Sequence, residues 1–188
     1  KILKPSLDLI PALRGCLISS ELELRTVALD VVYELCSVQY LSPASHSLTL
    51  FHGSAALLLA QLEQCVDASS VATYPEAYVQ KLMNCAHTLL SIHVARLHAD
   101  SNFQLLHFLH VLLKFSLMQP ELSAYEETIC VWAALLAWLE EQKGNCTTRR
   151  YAGAADTSAA ILLQYEQFAQ VLFGSMLDRL LISDASPE

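Results

Sequence analysis

The sequence predicts an all-α fold, an α-α superhelix built from antiparallel helical hairpins. Three observations predict it. Apolar residues recur at three- and four-residue steps along most of the 188 residues, and the strict alternation of a half-buried strand is nearly absent. Five Gly and six Pro leave few breakers, which suits long helices joined by short turns. Hydrophobic residues make up 54% and charged residues 16%, a balance that can build a core and argues against disorder.

Seven helices follow from the periodicity. The first is expected over about residues 6–18, with Ser6 as N-cap, because a Ser hydroxyl can accept from the free N–H groups of a first turn. The second is expected over 22–38, with Leu24, Val27, Ala28, Val31 and Leu35 on one face. Leu41-Ser42-Pro43 ends that unit, since the residue before Pro resists helical geometry. The third is expected from Ser45 or Gly53 to Cys65. The polar run Asp67 to Ser70 then leads to Tyr74-Pro75, with Pro75 suited to a helix start. The fourth is expected over 75–97, with Val79, Leu82, Met83, Ala86, Leu89 and Leu90 on one stripe. The fifth is expected over 102–118, carrying Leu106, Leu109 and Leu113, and Gln119-Pro120 closes it. The sixth is expected over 121–142, with Tyr125, Ile129, Trp132, Leu136 and Leu139 in step and Gly144 as its C-terminal cap. Residues 144–155 read as a polar loop. The seventh is expected over 157–182, with Ile161, Tyr165, Phe168, Leu172, Met176 and Leu180 in register. Short connectors between helices one and two, and five and six, force antiparallel hairpins. About three to three-and-a-half hairpins fit, and residues 1–188 read as a single helical-repeat segment internal to a longer solenoid.

Composition excludes several functions. The most apolar stretch, Phe103 to Met118, is broken by His107, His110 and Lys114 and falls short of the ~20 residues needed to cross a bilayer. Lys1-Ile2-Leu3-Lys4 is too short and charged to read as a signal peptide. No membrane insertion is expected. The formal net charge is −8, from 11 basic and 19 acidic residues, and the one basic doublet is Arg149-Arg150. Phosphate contacts need clustered cations, so nucleic acid is not the expected partner. Six Cys lie far apart without a CxxC pair and read as buried, reduced thiols. Asn145-Cys146-Thr147 matches a glycosylation pattern by chance alone.

Nothing in the sequence reads as catalytic. Neither GxSxG nor a P-loop nor GxGxxG occurs, so neither a nucleophile elbow nor a phosphate cradle has a carrier. Seven His are present, at 46, 52, 87, 93, 98, 107 and 110. His107 and His110 could share a helix face, but HExxH and paired zinc-spaced Cys are missing, and no metal or cofactor is expected. Glu121, Glu126, Glu127, Glu140 and Glu141 read as a solvated face. Trp132 falls in the apolar register and reads as core, and Trp138 as a contact between repeats or else an exposed anchor for a partner.

Two segments carry repeat motifs. Leu9-Ile10-Pro11-Ala12-Leu13, then Cys16-Leu17-Ile18-Ser19, then Leu24-Arg25-Thr26-Val27-Ala28-Leu29 resembles a HEAT repeat, in which a helix bent at an inner Leu-Pro step precedes one opening Val-Arg-x-x-Ala. The usual turn Asp is missing, with Ser19, Ser20 and Glu21 in its place. A similar layout returns roughly 100 residues on, about two HEAT units of ~40–47 residues plus an inserted loop. It runs Phe108-Leu109 to Lys114-Phe115, Gln119-Pro120, Cys130-Val131-Trp132, Tyr165-Glu166-Gln167-Phe168 and Leu177-Asp178-Arg179-Leu180. This order resembles the exportin branch of the importin-β superfamily, over about residues 78–182. The resemblance implies a nuclear export receptor, present in nucleus and cytoplasm, whose partners are Ran in its GTP form, a cargo such as actin with profilin, and nucleoporins. It assigns no residue here to those contacts. The alternative is a HEAT or armadillo scaffold of another large assembly.

Overall fold

The computed structural model describes residues 9–41, 46–67, 74–120, 122–148 and 152–184. Seven helices occupy them: α1 (Leu9–Leu17), α2 (Leu22–Ser37), α3 (His46–Asp67), α4 (Glu76–Ala99), α5 (Leu105–Leu117), α6 (Leu122–Thr148) and α7 (Ala152–Asp184). The contacts sort them into two layers. Odd-numbered helices pack in sequence, α1 on α3, α3 on α5 and α5 on α7, while α2 packs on α4 and α4 on α6. Most successive helices also touch across the layers, α1 on α2, α2 on α3, α3 on α4, α5 on α6 and α6 on α7. This is a solenoid of antiparallel hairpins of the HEAT type, in which each unit packs on its neighbours.

A single apolar core runs between the layers, from Leu13 and Leu17 through Leu29, Phe51, Leu82, Leu89, Phe108 and Leu112 to Trp132, Phe168 and Leu172. Its two central members, α4 and α5, bury the most consistently. The expected α4 stripe of Val79, Leu82, Met83, Ala86, Leu89 and Leu90 is fully buried. Burying a side chain of this kind is worth about 1.5–3 kcal/mol. Odd-layer helices also approach closely. A Cβ on Gly53 of α3 would stand 2.7 Å from Ile10 Cγ1 of α1, so only Gly lets these helices meet there.

The turns are locally determined. The Pro75 carbonyl accepts from Tyr78 N at 2.9 Å and Val79 N at 3.2 Å, so this Pro, with no N–H of its own, opens α4. Asp100 accepts from Asn102 N at 2.9 Å and turns the chain between α4 and α5. After α5, the Gln119 amide donates to the Phe115 carbonyl at 2.9 Å. Arg179 of α7 donates to the Gln119 carbonyl at 2.7 Å, which ties that turn to the following hairpin.

Several expectations need correction. Gly144 does not cap α6; it lies inside the helix, which continues to Thr148, and α7 already begins at Ala152. Of the expected loop over 144–155, residues 144–148 and 152–155 are therefore helical. Pro11 lies within the described part of α1. On α2 the buried residues are Ala28, Leu29, Val32 and Cys36, whereas Leu24 and Val27 are exposed. That helix carries a second apolar face at the end of the stack. Ser6, Ser45 and Glu121 lie outside the described residues, as do the side chains of His46, Cys146 and Leu180.

Candidate functional site

The outward surface of the even layer carries two shallow grooves, one on each side of α4. The first, about 360 Å³, lies between α2 and α4 and is lined by Asp30, Tyr33, Lys81, Asn84 and His87. The second, about 350 Å³, lies between α4 and α6 and is lined by Gln80, Met83, Asn84, His87, Glu127 and Cys130. Asn84 and His87 belong to both. The helical period explains this, since residues 80, 84 and 87 recur on the side of α4 opposite its buried stripe. Lys81 pairs with Asp30 across the first groove, and Gln80 reaches Glu127 at 3.4 Å across the second. A third groove of about 570 Å³ lies between the ends of α6 and α7, lined by Leu139, Leu162, Leu163, Tyr165 and Glu166 among others. These are open surface features.

His87, which lines the same groove as Cys130, bonds Ser91 at 3.3 Å. Three thiols are shut away from reaction. Burial pushes Cys36 up to about 12 and Cys65 up to about 11, and it raises Cys85 as well. Cys16 is half-buried and Cys130 is exposed. The expectation that the Cys are buried therefore fails at Cys130, which falls on the outer side of α6 next to buried Val131.

The His residues disperse. His52 pairs with Asp100 at 3.0 Å and His107 with Glu63 at 2.7 Å. His110 donates to the Leu106 carbonyl at 2.7 Å and sets its edge toward Phe168. His107 and His110 thus serve different partners despite their spacing. Among the described residues no three His, Cys, Asp or Glu side chains gather in a metal-binding group. No described helix is long and apolar enough to cross a membrane.

Two side-chain clusters join the hairpins. At the first, His93 of α4 is buried and donates from Nε2 to the Cys36 carbonyl of α2 at 2.9 Å. Its Nδ1 accepts from Arg96 at 2.5 Å. Burial holds this imidazole below its ordinary titration range, the carbonyl it meets works the other way, and Arg96 lowers it further. At the second, Trp138 of α6 meets Tyr165 of α7 edge-on at 5.6 Å, and His98 of α4 bonds the Tyr165 hydroxyl at 3.0 Å. Burial pushes Tyr165 up to about 12 and lowers His98. Trp138 is thus the contact between repeats that its position predicted, and Trp132, 1% exposed, is core. Sequence reasoning missed His93. The available signal was its register, since 79, 82, 86, 89, 93 and 97 form one three-four series on α4.

Comparison with known proteins gives a partial match. Exportin-6-A of Xenopus laevis is 28% identical over 105 residues, which is 56% of this chain and 8% of that protein. Exportin-6 of Danio rerio is 26% identical over 105 residues, covering 9% of its length. Exportin-6 of Homo sapiens is 25% identical over 105 residues, again 9% of its length. The matched segment therefore spans less than a tenth of these relatives. Neither a family model nor a solved structure matches the chain. Across 105 of its residues this all-helical hairpin stack is similar to exportin-6.

Proposed function

We propose that the chain is one segment of a nuclear export receptor, a non-enzymatic solenoid that shuttles between nucleus and cytoplasm. The observation that carries this reading is the similarity to exportin-6 over 105 residues, held on a two-layer helical stack. The layered build supports it physically. Each hairpin adds outward surface, and small rotations between hairpins change the curvature of the whole. Such a body can grip a large protein in one state and release it in another.

The stack also supports a place inside a longer solenoid. The outward side of α7 presents Leu163, Val171, Phe173, Leu177 and Leu181 to solvent, opposite its buried Tyr165, Phe168 and Leu172. At the other end α2 presents Leu24 and Val27. An internal repeat needs two apolar faces, one for each neighbour. In this reading further hairpins cover both ends.

The partners in this proposal are Ran in its GTP form, a cargo such as actin with profilin, and nucleoporins. The test is capture by the intact protein, with Ran locked in the GTP or the GDP form and nuclear extract as the cargo source. The proposal expects Ran-GTP and cargo to be captured together and Ran-GDP to be left behind. Equal binding of both forms, or of neither, would transfer the chain to the helical-repeat scaffolds outside nuclear transport.

A further inference from the structure

We propose that His93 is an acid-sensitive latch between the first two hairpins, holding the last turn of α2 on α4 while its ring is neutral and releasing it when both ring nitrogens carry protons. The last four carbonyls of a helix have no partner within it. Cys36 lies in the last turn of α2, which ends at Ser37, and its carbonyl takes its hydrogen bond from His93 Nε2 at 2.9 Å. A buried side chain of α4 thus completes the C-terminus of α2 from outside.

The other ring nitrogen makes the latch dependent on protonation. Nδ1 accepts from the Arg96 guanidinium at 2.5 Å, so it must stay unprotonated to keep that contact. Arg has only donors, and a proton on Nδ1 would turn an attraction into a clash of two N–H groups and two positive charges. The new charge would also sit in apolar surroundings, with the ring 1% exposed and 4.4 Å from Phe51 of α3.

The groups facing the ring are few. Arg96 approaches from its own helix, and the carbonyls of Cys36 and Val38 approach from the α2 side. From α3 comes Phe51, whose neighbour His52 is engaged with Asp100 at 3.0 Å. Among the described residues no carboxylate is bonded to His93 to hold a second proton. A His kept neutral in the closed state and free to titrate in the open one shifts the balance toward opening as pH falls. The onset is the ordinary imidazole range near 6.5, set by the open state, and the response saturates where the closed state itself takes up the proton.

The test is amide hydrogen exchange on the intact protein between pH 7.5 and 5.5, corrected for intrinsic exchange chemistry, with α5 as internal reference. The latch predicts that protection in the last turn of α2 falls by about tenfold across this range while α5 is unchanged. His93→Gln keeps a donor and an acceptor but does not titrate, and its protection should stay flat. Arg96→Met removes the opposing cation, lets the closed state bind the proton, and should make the response smaller and earlier to level off. If His93→Gln fails to fold, the wild type against Arg96→Met decides. A wild-type α2 with no pH response, or a response that survives His93→Gln, overturns the proposal, as does an Arg96→Met response as large as the wild type's.

Discussion

The junction of α2 with α4 and the junction of α6 with α7 do the same architectural job with different chemistry. At the first, side chains bond across the gap. His93 caps Cys36, the Cys85 thiol reaches the Leu29 carbonyl at 3.4 Å, and Lys81 pairs with Asp30. Beside it, Arg25 lies over the rings of Tyr74 and Tyr78 at 5.4 and 5.6 Å. At the second, rings meet rings. Trp132 lies 5.9 Å from Phe168 and Trp138 5.6 Å from Tyr165. Two polar ends of that set, Trp132 Nε1 and Trp138 Nε1, are buried without hydrogen-bond partners, while the Tyr165 hydroxyl bonds His98 of α4. Hydrogen bonds to backbone carbonyls fix one register and one protonation state, whereas ring contacts supply area without directional demand. The first junction should therefore be the more specific in geometry, and the second the more tolerant of shape.

The sharpest break in this comparison comes from Trp132→Ala. It removes the largest fully buried side chain and its contact with Phe168, and should cost about 3–5 kcal/mol in urea unfolding. A loss under about 1 kcal/mol would mean that α7 does not depend on α6 as described. Next is His93→Leu, which leaves the Cys36 carbonyl buried and unpaired and should cost about 1–3 kcal/mol. By contrast, Trp138→Phe keeps most of the ring and deletes an N–H that has no partner. It should stay within about 1 kcal/mol of the wild type. Equal losses from His93→Leu and Trp138→Phe would erase the distinction between the junctions.

Two glycines sharpen the packing argument at smaller scale. Gly53→Ala drives a methyl into Ile10, so overpacking of about 1–3 kcal/mol outweighs or cancels the helix propensity gained. Gly174→Ala meets no atom within 4 Å and should stabilise α7 by about 0.5–1 kcal/mol when that face is free. A destabilising Gly174→Ala in the intact protein would instead report a close neighbour on the outward side of α7. The smallest effect belongs to Lys81→Met. Its pair with Asp30 is largely exposed, so about 0–1 kcal/mol is expected, and less at high salt.

The helices were legible in the sequence because their signal is local. Leu82, Leu89 and Val79 announce a buried stripe by spacing alone, and Pro75 and Pro120 mark the turns that the structure places there. What spacing could not deliver is which of two apolar faces has a neighbour. Leu24 and Val27 look identical to core positions, yet they are exposed because that decision belongs to the next unit in the stack. The end of α6 was misplaced because Gly144 carries the same chemistry whether it caps a helix or rides on an exposed turn of one. His93 was passed over because a His in an apolar register becomes informative only once its two partners, Cys36 and Arg96, are seen. The grooves beside α4 arise from three separate helices, and no single stretch of sequence encodes them.

The most direct test of the stack and its continuation is the structure of the intact protein by electron cryomicroscopy. The account predicts α2, α4 and α6 in one layer and α1, α3, α5 and α7 in the other, with a further helix covering Leu163, Leu177 and Leu181 on the outward face of α7. A structure in which that face stays in solvent while the chain turns away, or in which the two layers are not formed, would contradict it.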